Sequence, residues 1–333
     1  MKIPILKISK FRFKLKVIDQ LNVPEYKGSM IRGAFGATFR SVSCAINEKT
    51  CDNCILKSQC IYFKIFETEL PNLNYQYLKG VKKVPHPFVL HPPLNDSKTY
   101  KVGEFFEIGL TLFGNTAIFF PYFIYTIKKM GENGIGKGRG HFEISEISSV
   151  TFLNEETAIP LNKPDDLNNY LVPFNSGKLL DSVNTSANSI TLSFLTPFRF
   201  QIDGDVIKSK NKLDLTKFMM TIVRRYFSLL AILENIQLPD DLYVDIYNNV
   251  SSGSVKITRN NLWFYDWERY SSRQDKRFSL GGFLGNITLE GDLSQMLPFL
   301  LLGSLINIGK NSVFGLGQYN YLINNQNKEV ENV

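Results

Sequence analysis

The residues with the clearest chemistry are four cysteines, Cys44, Cys51, Cys54 and Cys60, gathered in CAINEKTCDNCILKSQC. The Cys51-x-x-Cys54 pair has the spacing of a chelating knuckle, and the two outer thiolates complete the tetrahedral set that structural zinc takes. Four thiolates leave no open coordination position, so the metal would hold the loop rather than act on a substrate. The same ligands also suit an iron–sulfur cluster, and the plainer readings are four free thiols or a redox pair. The chain opens MKIPILKISKFRFKLKV, which lacks the apolar core and small-residue cleavage site of a signal peptide, and it holds no long uncharged apolar run. A cytoplasmic protein is therefore expected, in a reducing compartment that favours metal over disulfides.

A second stretch, INIGKNSVFGLGQYNY at 306–321, resembles a phosphate-cradling loop. Its spacing excludes the common forms. Gly303 lies one residue too far from Gly309-Lys310 for a Walker A loop, and Asn311 stands where Ser or Thr is needed; Gly315-Leu316-Gly317 lacks the third glycine of a dinucleotide fingerprint. What remains is a loop whose Gly315 and Gly317 let a phosphate backbone approach the main chain, with Lys310 adding charge and Gln318 a hydrogen bond. The competing reading is close packing of helix on strand.

Cations and aromatics recur elsewhere. In LWFYDWERYSSRQDKR, a strand would place Trp263, Tyr265, Trp267 and Arg269 on one face, with Tyr270 and Arg273 close behind. Aromatic planes stack bases and guanidinium groups take phosphates, although a core stripe beside a solvated charge run fits the same pattern. From Phe11 to Val17 apolar residues alternate with Lys10, Arg12, Lys14 and Lys16, giving a strand with one buried and one basic face. The whole chain of 333 residues carries a formal net charge of +7, a balance that favours polyanions. Three histidines, His86, His91 and His141, stand in no Ser/His/Asp arrangement, and no acidic cluster suggests a two-metal nuclease.

The elements that must position these residues follow one order twice. After the first strand, Ser29 can cap a helix carrying Ile31, Phe35 and Phe39; extended runs HPFVLHPP and EFFEIGLTLFG, a helix around PYFIYTIKKMG and a strand HFEISEISSVTFL complete the first half. Beyond a polar stretch come the strand SITLSFLTPFRFQ, a helix capped by Asp214, extended segments at 252–258, 262–270 and 281–290, a helix opened by Asp292, and the last strand. This is an α+β protein of two tandem ferredoxin-like β-α-β-β-α-β units: 1–160 with the cysteine insertion at 44–60, a linker at 161–189, a second unit at 190–325 and a polar tail at 326–333. Such a unit leaves one sheet face free, which serves as an RNA platform in several folds.

The ordered set YKGSMIRGAFGATFR, the cysteine cluster with IYFKIFET, HPFVLHPP, GIGKGRGHFEI, LTPFRF, DWERYSSRQ, LGGFLGNI and IGKNSVFGLGQY resembles the CRISPR-associated RAMP superfamily. Within it the set is similar to the endoribonucleases that cut precursor CRISPR RNA, the sixth Cas family. The resemblance implies two ferredoxin-like domains, a C-terminal glycine loop that helps hold RNA, and metal-independent attack of a ribose 2′-OH on the adjacent phosphate, leaving 2′,3′-cyclic phosphate and 5′-OH ends. Many relatives carry a catalytic histidine on or near the first helix, which has none here, and Asn307 stands where similar sequences often have histidine. The catalytic candidates are then Lys310, Arg32, Arg273 and His86. The RNA-binding candidates are Lys10, Arg12, Lys14, Lys27, Arg40, Trp267, Arg269, Tyr270, Gly315, Gly317 and Gln318. Expected cofactors are structural zinc and none for catalysis; expected partners are repeat RNA and other Cas effector subunits, with the chain a monomer or homodimer. An inactive RAMP subunit that binds crRNA is the alternative, and a basic protein that binds another protein through its knuckle is a third.

Overall fold

A computed structural model describes residues 3–46, 50–69, 75–79, 84–160, 167–171, 174–181, 187–271, 276–325 and 328–331. The chain divides into two compact units, one of Leu6–Pro71 and Lys82–Phe174, the other of Met1–Ile5, Asn72–Val81 and Asn175–Val333. The expected 161–189 linker is thus divided between the units after Phe174, and short helices form within it at Leu167–Tyr170 and Ser176–Asp181. The excursion at 72–81 belongs to the second unit because its described part is tied there: Arg224 Nε donates to the Tyr77 carbonyl at 2.8 Å, and the Tyr77 ring meets Phe227 edge-on at 5.4 Å.

In the first unit, β1 (Lys7–Val17) lies centrally between β3 (Phe105–Phe113) and β4 (Phe142–Val150), and β2 (Phe88–His91) pairs with β3, all antiparallel. Helices α1 (Gly28–Ser43) and α2 (Phe120–Asn133) connect β1 to β2 and β3 to β4, which gives the strand order 2-3-1-4 of the ferredoxin-like unit. The alternation read in β1 is real: Phe11, Phe13, Leu15 and Val17 are buried, with Phe11 stacked on Phe120 at 3.8 Å. Helix α1 buries Ile31, Phe35 and Phe39, and Phe35 sits among the rings of Phe66, Phe88 and Phe123. Contrary to the expected Ser29 cap, α1 starts at Gly28 after Lys27, with no side-chain cap.

The second unit repeats the order with β5 (Ser189–Phe198), α3 (Leu215–Leu233), β6 (Val255–Asn260), β7 (Gly282–Gly291), α4 (Leu297–Ile306) and β8 (Tyr319–Asn325). Central β5 pairs with β7 and β8, and β6 with β7. Asp214 caps α3 as expected, accepting from the Lys217 backbone N–H at 2.8 Å. Three expectations are corrected. The strand expected over 262–270 breaks at Asp266–Trp267 into Trp263–Tyr265 on β7 and Glu268–Ser271 in a hairpin with Lys276–Ser279. Asp292 closes a turn onto Ser294 N–H, and α4 begins only at Leu297 with proline in its first turn. Lys328–Glu331 of the expected tail forms a strand on β8. Among the described residues no helix is long and apolar enough to cross a membrane.

Candidate nucleic-acid interface

Within the second unit, the chain between α4 and β8 is a glycine loop seated on the end of β5. The Ile308 N–H donates to the Gly317 carbonyl, the Gly317 N–H to that of Pro197, and the Lys310 N–H to that of Arg199, at 3.0, 3.1 and 3.0 Å. Thr196 Oγ1 joins both strands, donating to the Gly315 carbonyl and accepting from the Gln318 N–H. These contacts bear on the expected role of Gly315 and Gly317. Both are buried with positive φ, and a Cβ at Gly317 would lie 1.8 Å from the Ile308 oxygen, so Gly317 serves close packing of the loop. Gln318 is half-buried and held by the same β5 end, while Lys310 alone of the expected loop residues projects as an exposed cation.

Asn307 is 1% exposed, and its Nδ2 donates to the Leu316 carbonyl at 3.1 Å. A residue here shapes the loop from within. The helix before it ends on a device the sequence did not announce: Arg225 of α3, half-buried, directs Nε and Nη2 at the Ile306 carbonyl at 3.0 and 2.9 Å. Cations suit the negative end of a helix, and burial lowers this guanidinium to about 10. Of the aromatic segment, Trp263 is 53% exposed with Tyr265 edge-on at 5.9 Å, Trp267 is half-buried, and Arg269 and Tyr270 lie on the hairpin strand; Arg273 falls outside the described residues.

The first unit distributes its candidates over several places. On the free face of β1, Arg12 pairs with Glu156 and lies 3.7 Å from Glu107, and Lys16 lies 3.7 Å from Glu143, so the expected basic stripe is partly neutralised. Lys10 is half-buried, and burial, with Arg12 adding to it, lowers its ammonium to about 8. Lys14 stays exposed above the Phe105 ring. Lys27 is a correction: it is 1% exposed, and its Nζ donates to the Asn95 and Glu25 carbonyls at 2.7 and 3.3 Å, so it braces the entry to α1 and presents no charge to a ligand.

Arg32 and His86 are brought together against the same two rings. The guanidinium lies 4.5 Å from the Phe66 centroid and 5.5 Å from that of Phe88, and the imidazole is 6.0 and 5.9 Å from them. Gly36 leaves room for this, since a Cβ there would touch Arg32 Nη1. His86 Nδ1 also meets the Ile65 carbonyl at 3.3 Å, which makes its role here one of packing. Arg40 lies over Tyr62 and lines, with Lys57, the cavity shared by Cys44, Cys51, Cys54 and Cys60. Burial raises the Cys51 thiol, and among the described residues no group of three or more candidate ligands is drawn together as a metal site. The sequence also passed over one exposed pair: His141 Nδ1 meets the Asp19 carboxylate at 2.5 Å, a contact announced only by the histidine that follows GIGKGRG.

Fold and loop define a tandem ferredoxin-like protein whose second unit closes on a glycine loop. Residues 192–319 match the family model for "CRISPR-associated endoribonuclease Cas6", and residues 6–169 match a model described as an N-terminal domain. The likeness to that family thus lies in residues 192–319, within the second unit. A solved Cas6 product complex is similar at 14% identity and TM-score 0.55, covering 94% of this chain and 98% of that one; the Cas6 of Thermus thermophilus gives 14% and 0.53 over the same shares. A partial Cas6-RT-Cas1–Cas2 complex is similar at 12% identity and 0.55, covering 98% of this chain and 46% of that one. At these identities the likeness is one of fold. No curated protein matches the chain.

Proposed function

We infer that the chain is an endoribonuclease that cuts precursor CRISPR RNA within the repeat, by metal-independent attack of a 2′-OH on the adjacent phosphate. The observation that carries this reading is the Cas6-matching unit, whose β5-anchored loop ends in one exposed lysine, Lys310. A rigid loop with a projecting cation suits the crowded phosphate of the transition state. Exposed Lys14 and Trp263 offer a backbone contact and a stacking plane on their respective units. The test is incubation with end-labelled repeat RNA from the chain's own array: a single cut within the repeat is expected, and neither binding nor cutting would overturn the reading.

A second reading, a crRNA-binding subunit without activity, draws on α1, which carries no histidine, and on Asn307, which is buried. Tight binding of the repeat with no cut would favour it. Replacing Lys310 separates the two roles further. Lys310→Ala is expected to slow single-turnover cleavage about 10-fold or more while weakening binding no more than about threefold; weaker binding with an unchanged rate at saturating RNA would contradict a catalytic role.

The cysteine cavity is proposed as a structural zinc site. Four soft donors line one small cavity, with Arg40 and Lys57 beside them to offset the charge of four thiolates, and zinc would draw the sulfurs together into its tetrahedral set. Elemental analysis is expected to find one zinc per chain, and chelation to lower the melting temperature; a purified chain without metal would contradict the site.

A further inference from the structure

Resting on the endoribonuclease reading, we propose that His141 takes the proton of the attacking 2′-hydroxyl, oriented by Asp19 and placed beside an RNA phosphate held at the loop tip Lys137–Arg139. The three histidines differ sharply in setting. His86 is committed to the Ile65 carbonyl and two phenyl rings, and His91 to Thr111 Oγ1 at 2.9 Å, its ring lying over Gly109. The His141 side chain is 45% exposed. Its Nδ1 faces a carboxylate, which places the ring proton there and leaves Nε2 as the lone-pair nitrogen, and among the described residues Nε2 has no partner. A base held by a third group in this way is the general arrangement of activated oxygen nucleophiles.

The pair is fixed by backbone. The N–H groups of Ile18 and Asp19 both donate to the His141 carbonyl, at 2.9 and 3.3 Å. The preceding loop is fixed as well: Ile135 and Gly140 exchange two hydrogen bonds of 3.0 Å, and the Lys137 N–H donates to Asn22 O. Gly136 and Gly140 seat it closely, since Cβ atoms there would lie 2.2 and 2.6 Å from the Asn22 and Gln20 oxygens. What projects is Lys137, Gly138 and Arg139, all exposed. Gly138 would have nothing within 4 Å of an added Cβ, and Arg139 holds a positive φ of 53°. Among the described residues neither Lys137 nor Arg139 makes an ion pair, which leaves two uncompensated cations and an open glycine for a phosphate.

In the step itself, the 2′-oxygen bonds to phosphorus as its proton passes to His141 Nε2. The bond from phosphorus to the 5′-oxygen breaks, and that oxygen leaves with a proton from solvent. His141 then returns its proton to solvent, and no water is consumed. Lys137 and Arg139 hold a neighbouring backbone phosphate and so keep the ribose beside Nε2.

His141→Ala is expected to slow single-turnover cleavage of repeat RNA by about 100-fold or more with Kd changed less than about threefold, and added imidazole to restore part of the rate. Asp19→Asn should slow the same step less, with binding intact. Lys137→Ala combined with Arg139→Ala should weaken binding and reduce the slope of log Kd against log salt by about 1 to 2. Wild-type cleavage matched by His141→Ala would overturn this inference alone; an unchanged salt slope would remove the phosphate contact. A wild-type chain that leaves the repeat intact would overturn the endoribonuclease reading and this proposal with it.

Discussion

Replacing Gly317 by alanine is expected to lower the stability of the second unit by about 3 kcal/mol or more, a melting shift of roughly 5–10 °C. The residue sits at φ 72°, where an L side chain is strained, and its Cβ would lie 1.8 Å from the Ile308 oxygen and 2.8 Å from the Ile308 carbonyl carbon. Those atoms are backbone. They cannot turn aside as a rotamer would, because the Ile308 N–H is bonded to the Gly317 carbonyl and the Gly317 N–H to Pro197. Gly204 provides the comparison: at φ 97° an added Cβ would meet nothing within 4 Å, so Gly204→Ala should cost only the conformational strain, about 1 kcal/mol. Thermal unfolding of the two variants checks this, and equal melting temperatures would contradict the close-packing role assigned to Gly317.

The second large effect is expected at Arg225. Its two donors satisfy the last carbonyl of α4 inside the unit, immediately before the loop turns away at Asn307. Arg225→Ala removes both charge-assisted hydrogen bonds, leaves the Ile306 carbonyl buried without them, and opens a cavity. Relief of the guanidinium's own burial cost, visible in its lowered pKa, offsets part of this. The balance is a loss of about 2–4 kcal/mol in urea unfolding. Arg225→Lys keeps a charge but not the fork, and should recover only part of the loss. An Arg225→Ala chain as stable as the parent would contradict the helix-end role.

The repeated strand and helix order was legible because the periodicities are strong: the alternation of Phe11, Phe13 and Leu15 and the helical recurrence of Ile31, Phe35 and Phe39 each report one buried face. Asp214 announced its helix for the same local reason. What stayed hidden depends on contacts distant in sequence. Nothing local says that Lys27 will find the Asn95 carbonyl, that Arg12 will face Glu107 and Glu156, or that Arg225 will reach Ile306. The glycine loop misled in a related way. Glycines chosen for contact with RNA and glycines chosen for contact with the chain's own backbone look alike in sequence, and only the distance from Gly317 to the Ile308 oxygen separates them. The same blindness hid Asp19 from His141, which stand 122 residues apart.

The most direct test of the account is the chemistry of the cut ends. Purified protein is incubated with end-labelled repeat RNA in the presence of EDTA, and the products are resolved before and after acid and phosphatase treatment. One cut leaving a 2′,3′-cyclic phosphate and a 5′-hydroxyl is the predicted result, because the chain offers imidazole, ammonium and guanidinium groups for the reaction. Cleavage that requires added Mg²⁺ and leaves a 3′-hydroxyl and a 5′-phosphate would contradict it.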